Sequence, residues 1–227
     1  MPSPQDALTY AKRFVGRMPV DDTDINVRLL DDAHKALWMA HPFIWTVESL
    51  NVIPVVNGQQ DYTLTPDANL LYLESCQLVD AENKKDLIIA STIPLTNIIT
   101  GPVTQVMYVS DPQSLRLFPV PAAYPSTTPA LVSIAKLKAL NLTSGNISTD
   151  YSTLTGFRNE WFWVYQELVL LKAFTFTHDG REGAVGTDST GQSKYSGQWA
   201  VAMDAIARMW ASEKRIFSEL GDEIQNG

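Results

Sequence analysis

The sequence predicts an α+β protein, with N-terminal helices, an antiparallel β-sandwich or barrel-like middle, and two long C-terminal helices. Three observations carry that expectation. Leu30, Ala33, His34, Leu37, Trp38 and His41 fall at offsets 0, 3, 4, 7, 8 and 11, which lines them along one helical face. From Thr46 the apolar period drops to two, and short alternating runs broken by turn residues continue to Leu142. From Phe157 onward the apolar residues return to helical spacing, in two segments, Phe157 to His178 and about Gly197 to Gln225. The chain thus divides into residues 1–45, 46–142 and 157–225.

The first helix is expected over Pro4 to Met18, with Ser3 as N-cap, Pro4 in the first turn, and Leu8, Ala11, Val15 and Met18 on one face. Pro19 breaks it. The run Asp21, Asp22, Thr23, Asp24 supplies the next N-cap and negative charge at the positive end of the second helix. No further carboxylates stand at the spacing a cation site needs, so the run reads as a cap. Pro42 stops the second helix, and Phe43, Ile44 and Trp45 follow without polar relief. A packed aromatic corner is expected there in place of a loop.

In the middle, Val47, Leu50 to Val56 and Gln59 to Leu64 read as strands, with Asn57-Gly58 closing a hairpin. Pro54 marks an edge or a bulge. Leu70 to Val79 is a strand, Asp80 to Asp86 a polar turn, and Leu87 to Ala90 a returning strand. Ser91 to Gly101 reads as a loop or a short helix. Val103 to Val109 and Leu115 to Val120 pair around Ser110 to Ser114, and Ala130 to Leu142 forms the last long strand. The prolines 119, 121, 125 and 129 belong to the connection between strands.

The segment from Phe157 to His178 is apolar on nearly all sides, so it must be covered on nearly all sides. Gly180 to Ser193 reads as a mobile surface loop rich in Gly, Ser and Thr; no Gly-Lys-Ser/Thr follows, which excludes a phosphate loop. The closing helix, about Gly197 to Gln225, keeps an apolar stripe and outruns its partner helix. Its overhang, Ser212 to Gln225, still carries Ile216, Phe217, Leu220 and Ile224, an apolar face that requires another surface. Trp161, Trp163 and Phe174 are the candidates for packing against a neighbouring subunit.

A net charge of -8 and a pI near 4.8 argue against a protein that grips nucleic acid by neutralising phosphates. No apolar run is long enough for a membrane span, and MPSPQDAL lacks the blocks of a signal peptide. A soluble protein made in a reducing compartment is expected. The single cysteine, Cys76, excludes an intrachain disulfide and is expected buried and inert. His34 and His41 lie two turns apart on a core stripe, too far for the compact His pair of a metal helix. No G-x-S-x-G, H-E-x-x-H, paired CxxC or G-x-G-x-x-G occurs. No enzyme, cofactor or metal site is expected.

The succession RLLDDAHKALWMAHPFIW, a strand-rich middle opening with NGQQDYTL, FRNEWFWVYQELVLLKAF, a Gly-containing loop and WAVAMDAIARMWASEKRI resembles the head-to-tail adaptor, or tail tube A, proteins of short-tailed bacteriophages. The resemblance covers about residues 22 to 217. It implies a single adaptor-like domain over 1–227 and a virion protein at the head-to-tail junction, made in the host cytoplasm. It further implies a ring, commonly a dodecamer, between the portal protein and the tail nozzle or tail tube, with DNA only passing through the channel and no membrane contact. Ile216, Phe217, Leu220 and Ile224 would then dock on the portal, and the aromatic helix would pack in the ring body. The alternatives are a neck or tail completion protein of a long-tailed phage, or a β-rich glycan-binding module that uses exposed Trp and Tyr for stacking.

Overall fold

The computed structural model describes residues 1–16, 23–64, 69–80, 83–93, 99–110, 113–122, 124 and 129–226, with side chains as far as residue 214 in the last helix. Two compact units emerge, Met1–Trp45 with Ala139–Gly227, and Thr46–Lys138.

In the helical unit, α1 (Pro4–Lys12) starts where expected, with the Asp6 carboxylate accepting from the Ser3 N–H at 2.7 Å and from Ser3 Oγ at 2.9 Å. It ends well before Met18. The N–H groups of Arg13 and Phe14 turn back to carbonyls three residues earlier, at Tyr10 and Ala11, which tightens the last turn and stops the helix. The freed Phe14 carbonyl accepts from Arg181 Nη2 at 2.9 Å. Met18, Pro19, Asp21 and Asp22 lie outside the described residues.

The α2 helix (Thr23–Ala40) buries Leu29, Leu30, Ala33, His34, Leu37 and Trp38, the face its spacing predicts. Beyond it the corner is an aromatic stack. Phe43 is fully buried and lies flat against Trp45 at 5.4 Å, and Trp45 meets Trp38 and Phe157 edge-on. Ile44 departs from the expectation and faces solvent.

The helix expected from Phe157 begins later. A short α3 (Tyr151–Thr155) is capped by Asp150, which accepts from the Ser152 N–H at 2.8 Å, and is closed by Gly156 at φ 73. The Phe157 N–H then bonds to Thr155 Oγ1, so that residue turns its ring into the core and stays outside any helix. After a 3₁₀ turn, Asn159–Trp161, α4 (Phe162–Thr177) runs through the middle of the unit. It buries residues all round, among them Val164, Tyr165, Leu168 and Leu171, because α1, α2 and the last helix α5 (Gly197–Asn226) pack on it. The part of α5 whose side chains are described buries Ala202, Ala205, Ile206, Met209 and Glu213 in one stripe.

Gly180 to Ser193 does not form a plain loop. Strands β12 (Val185–Thr187) and β13 (Ser193–Tyr195), which follow the strands of the other unit in chain order, make an exposed hairpin. The Asp188 carboxylate organises its tip by accepting from Thr190 N–H, Thr190 Oγ1 and Gln192 N–H at 2.6–3.0 Å. Composition hid this hairpin because its strands bury almost nothing.

The β unit contains two larger open sheets with one apolar core that includes Leu73, Val106, Leu117 and Leu131. One has the order β1 (Val47–Ser49), β11 (Ala130–Leu137), β4 (Leu70–Asp80), β5 (Asn83–Asp86), with β2 (Ile53–Pro54) also on β11. The other runs β3 (Asp61–Thr63), β9 (Gln113–Phe118), β8 (Gln105–Ser110), β6 (Ile88–Ile89). No sheet closes into a barrel among the described residues. Pro54 sits on an edge, as its missing N–H requires.

Four expectations for this unit are corrected. Asn57-Gly58 makes a turn but no hairpin, since β2 joins one sheet and β3 the other. Only Gly58 has positive φ, at 83, and the Gln59 N–H bonds to the Val56 carbonyl at 3.1 Å, a type II pattern. A two-residue hairpin favours the primed turns, whose twist matches its strands, so the chain passes from sheet to sheet instead. The polar turn Asp80 to Asp86 contains β5, an all-exposed edge strand held to β4 by backbone pairing. The returning strand is β6, parallel to β8, and β7 (Thr100–Gly101) is likewise parallel to β10 (Val120–Pro121). Residues 94–98 of the ambiguous Ser91 to Gly101 segment lie outside the described residues. Finally, β11 stops at Leu137, and Leu142 is buried in the helical unit with its N–H on Asp31 Oδ1 at 2.8 Å.

Candidate docking surface

The buried polar groups serve the fold. His34 is fully buried and its Nδ1 lies 2.7 Å from the Tyr151 hydroxyl, with burial pushing its pKa down to about 4 against the opposing pull of Asp31. Tyr151 stacks on Tyr165 at 4.4 Å, the Tyr165 hydroxyl donates to the Leu30 carbonyl, and burial drives both phenols well up. Cys76 is buried, with its thiol pushed up by burial and its Sγ 3.1 Å from Ser133 Oγ. Among the described residues no three His, Cys, Asp or Glu side chains gather as a metal site would require, and no helix is long and apolar enough to cross a membrane.

Sequence reasoning missed two buried ionisable groups. Lys136 is fully buried, its Nζ donates to Thr46 Oγ1 at 2.5 Å, and burial lowers its pKa to about 8. Strict alternation along β11 would turn Lys136 outward from buried Ala135. Register shifts at Ile134/Ala135 and Lys136/Leu137 bring both inside. Glu213 is buried in the last turn of α5 whose side chains are described, where one oxygen accepts from the Ile44 N–H at 3.3 Å and burial raises its pKa. Its position on the buried stripe of α5 was the available signal, masked by its charge.

What the helical unit offers to a partner is surface. An apolar groove of about 360 Å³ crosses its helices, with Met39 and Ala40 on the α2 wall, Leu171 of α4 on the floor, and Trp199, Met203 and Ala207 on the α5 wall. Met39 is 49% exposed. Two methionines beside a tryptophan make an adaptable lining for apolar side chains. A second groove, of about 400 Å³, follows α2 and α4 and shares Lys172 with the first; Ile25, Arg28 and Asp32 stand on one side and Phe176, 44% exposed, on the other.

The predicted site residues fall in three classes. Phe174 is buried in the core of its own unit, under the Arg181 guanidinium at 4.6 Å, and offers no surface. Trp163 is 39% exposed, and Trp161, half-buried, leans on it at 6.2 Å between ring centres. The side chains of Ile216, Phe217, Leu220 and Ile224 lie outside the described residues, whereas the backbone of α5 is helical through them to Asn226.

A family model described as SU10 adaptor protein matches residues 4–218, spanning both units. Among the curated proteins none matches the chain.

Proposed function

Because the chain belongs to the SU10 adaptor protein family, a family of structural phage adaptors, we propose that it forms a ring joining the portal at the capsid vertex to the tail. The whole chain serves as one adaptor domain, and the ring is a homo-oligomer of the kind built commonly from twelve copies. It sits at the head-to-tail junction of the virion, between the portal protein and the tail nozzle or tail tube protein, and the genome passes through it at ejection.

The observation that carries this reading is the family match over residues 4–218, nearly the full chain. The physical properties agree with it. The described buried stripe of the last helix runs to Glu213, the helix backbone continues to Asn226, and the sequence beyond residue 214 keeps an apolar face in Ile216, Phe217, Leu220 and Ile224. Those residues dock on the portal in this reading, and exposed Trp163 with Trp161 packs against the neighbouring subunit. A net charge of -8 suits a channel wall, since like charge keeps DNA from adhering as it passes.

The test is a portal-attachment assay. Deleting Ser212 to Gly227, or replacing Phe217 and Leu220 by Asp, leaves the monomer folded and abolishes attachment to purified portal rings. Attachment at the wild-type level by a folded variant would refute the docking assignment, and electron microscopy of the particle neck would show whether the ring itself exists.

A further inference from the structure

The two grooves on the helical unit form one strip from Ile25 to Met39 along α2, about 21 Å of helix axis. Its lining sets what can fill it. The Met39, Leu171 and Met203 end wants apolar side chains; Lys172 stands where the two grooves join and Arg28 beyond it, neither in a salt bridge among the described residues, with Asp32 in the same lining. An amphipathic helix about 20 Å long, apolar on one face and acidic beside it, matches on length, hydrophobicity and charge.

This chain contains such a segment. From Lys214 to Asn226 the α5 backbone spans about 20 Å. Ile216, Phe217, Leu220 and Ile224 share one helical face, Glu219, Asp222 and Glu223 lie between them, and the two basic residues, Lys214 and Arg215, stand at the start of the segment. Gly221 in its middle is a weak helix former, so packing of the apolar face favours the helical form of this segment. It cannot reach the groove of its own chain. Trp199, Met203 and Ala207 of the same unbroken helix form one groove wall, and residue 216 lies about 14 Å further along the axis from Ala207.

We infer that the end of α5 in one copy lies in the α2–α4–α5 groove of a second copy. The contact joins two different surfaces, so it is head-to-tail and closes into a ring or extends, which a self-complementary contact would not do. It deepens the ring reading by naming a subunit contact, although the pairwise contact stands without it. One apolar stripe fills one groove, so a helix end seated in a neighbour's groove is not docked on the portal, and the contact is one between copies that the portal has not engaged.

The test uses the full chain without portal, in sedimentation velocity over a range of concentrations, with two variants. Met39→Glu spoils the groove and keeps the helix end; Phe217→Asp spoils the helix end and keeps the groove. Wild type associates with rising concentration, and each variant alone associates at least about tenfold more weakly, since a charge must be buried without a partner. Mixing the two variants restores association but stops it at a 1:1 dimer, because only one intact groove meets one intact helix end. A wild type that stays monomeric, a Met39→Glu chain that associates like wild type, or a mixture that stays monomeric would each overturn the inference. Portal attachment separates the two assignments: Met39→Glu keeps it, and its loss would mean that the groove belongs to the portal, also overturning the inference. Retained attachment by Phe217→Asp would sink the portal assignment and leave the groove contact standing.

Discussion

Lys136→Met should stabilise the protein at neutral pH, which is an unusual expectation for the loss of a hydrogen-bonded charge. Lys136 is fully buried and its pKa falls from 10.5 to about 8, chiefly through burial. At about 1.4 kcal/mol per unit, holding the ammonium inside the β unit costs about 3 kcal/mol wherever both states are charged. Between pH 8 and pH 10.5 the unfolded chain binds a proton that the folded chain does not, so stability rises with pH across that window. Below about pH 8 the full cost applies. Methionine keeps the apolar stem and removes the charge, and the lost bond to Thr46 Oγ1 returns about 1 kcal/mol. The net gain at pH 7 is about 2 kcal/mol, or roughly 4–8 °C in Tm for a chain of this size. Thermal unfolding of both proteins at steps from pH 7 to pH 9.5 measures it, and the gap between them narrows as pH rises. Buried Tyr151 and Tyr165 keep their protons when folded and lower stability above about pH 10, which sets the upper limit of the scan. A variant less stable than wild type at pH 7, with a gap that does not change with pH, would show that the ammonium is well solvated by its surroundings and that the reasoning is wrong.

Two further outcomes follow from the helical unit. His34 titrates at about 4 when folded against 6.5 when unfolded, so its contribution is complete above pH 6.5 and is lost as pH falls towards 4, up to about 3 kcal/mol. Urea midpoints at pH 7 and pH 4.5 should drop further for wild type than for His34→Gln, and equal drops would exclude His34 as the acid-sensitive group. At the base of the exposed hairpin, Gly183 has φ 83 and an added Cβ would stand 2.1 Å from the Ser196 carbonyl oxygen. Gly183→Ala should open the hairpin and expose residues 184–196 to limited proteolysis, while unchanged cleavage would show that the backbone there yields easily.

Much of the architecture is written in local pattern. The stripe from Leu30 to Trp38, the aromatic run at Phe43 and Trp45, and the all-round apolar character of α4 each state how much covering a segment needs, and the helical unit supplies most of it, leaving Trp163 and Phe176 of α4 exposed. The proposed role was legible in the same way, because the succession of elements carries the family likeness that the match over 4–218 supports. The groove was not legible. Met39, Leu171 and Met203 lie on three helices, and each reads alone as an ordinary apolar position.

By itself, the sequence determined the main helices, the longer strands and which faces seek cover, since periodicity and proline act within a few residues. Only the tertiary structure decided which strands pair, that Asn57-Gly58 passes the chain between sheets, and that Lys136 and Glu213 are buried. Those outcomes depend on residues far apart in the chain: a register shift against β4 turns Lys136 inward, and the corner at Ile44 meets Glu213 across 169 positions. No local pattern encodes such a meeting, because its energy exists only once both partners have been brought together.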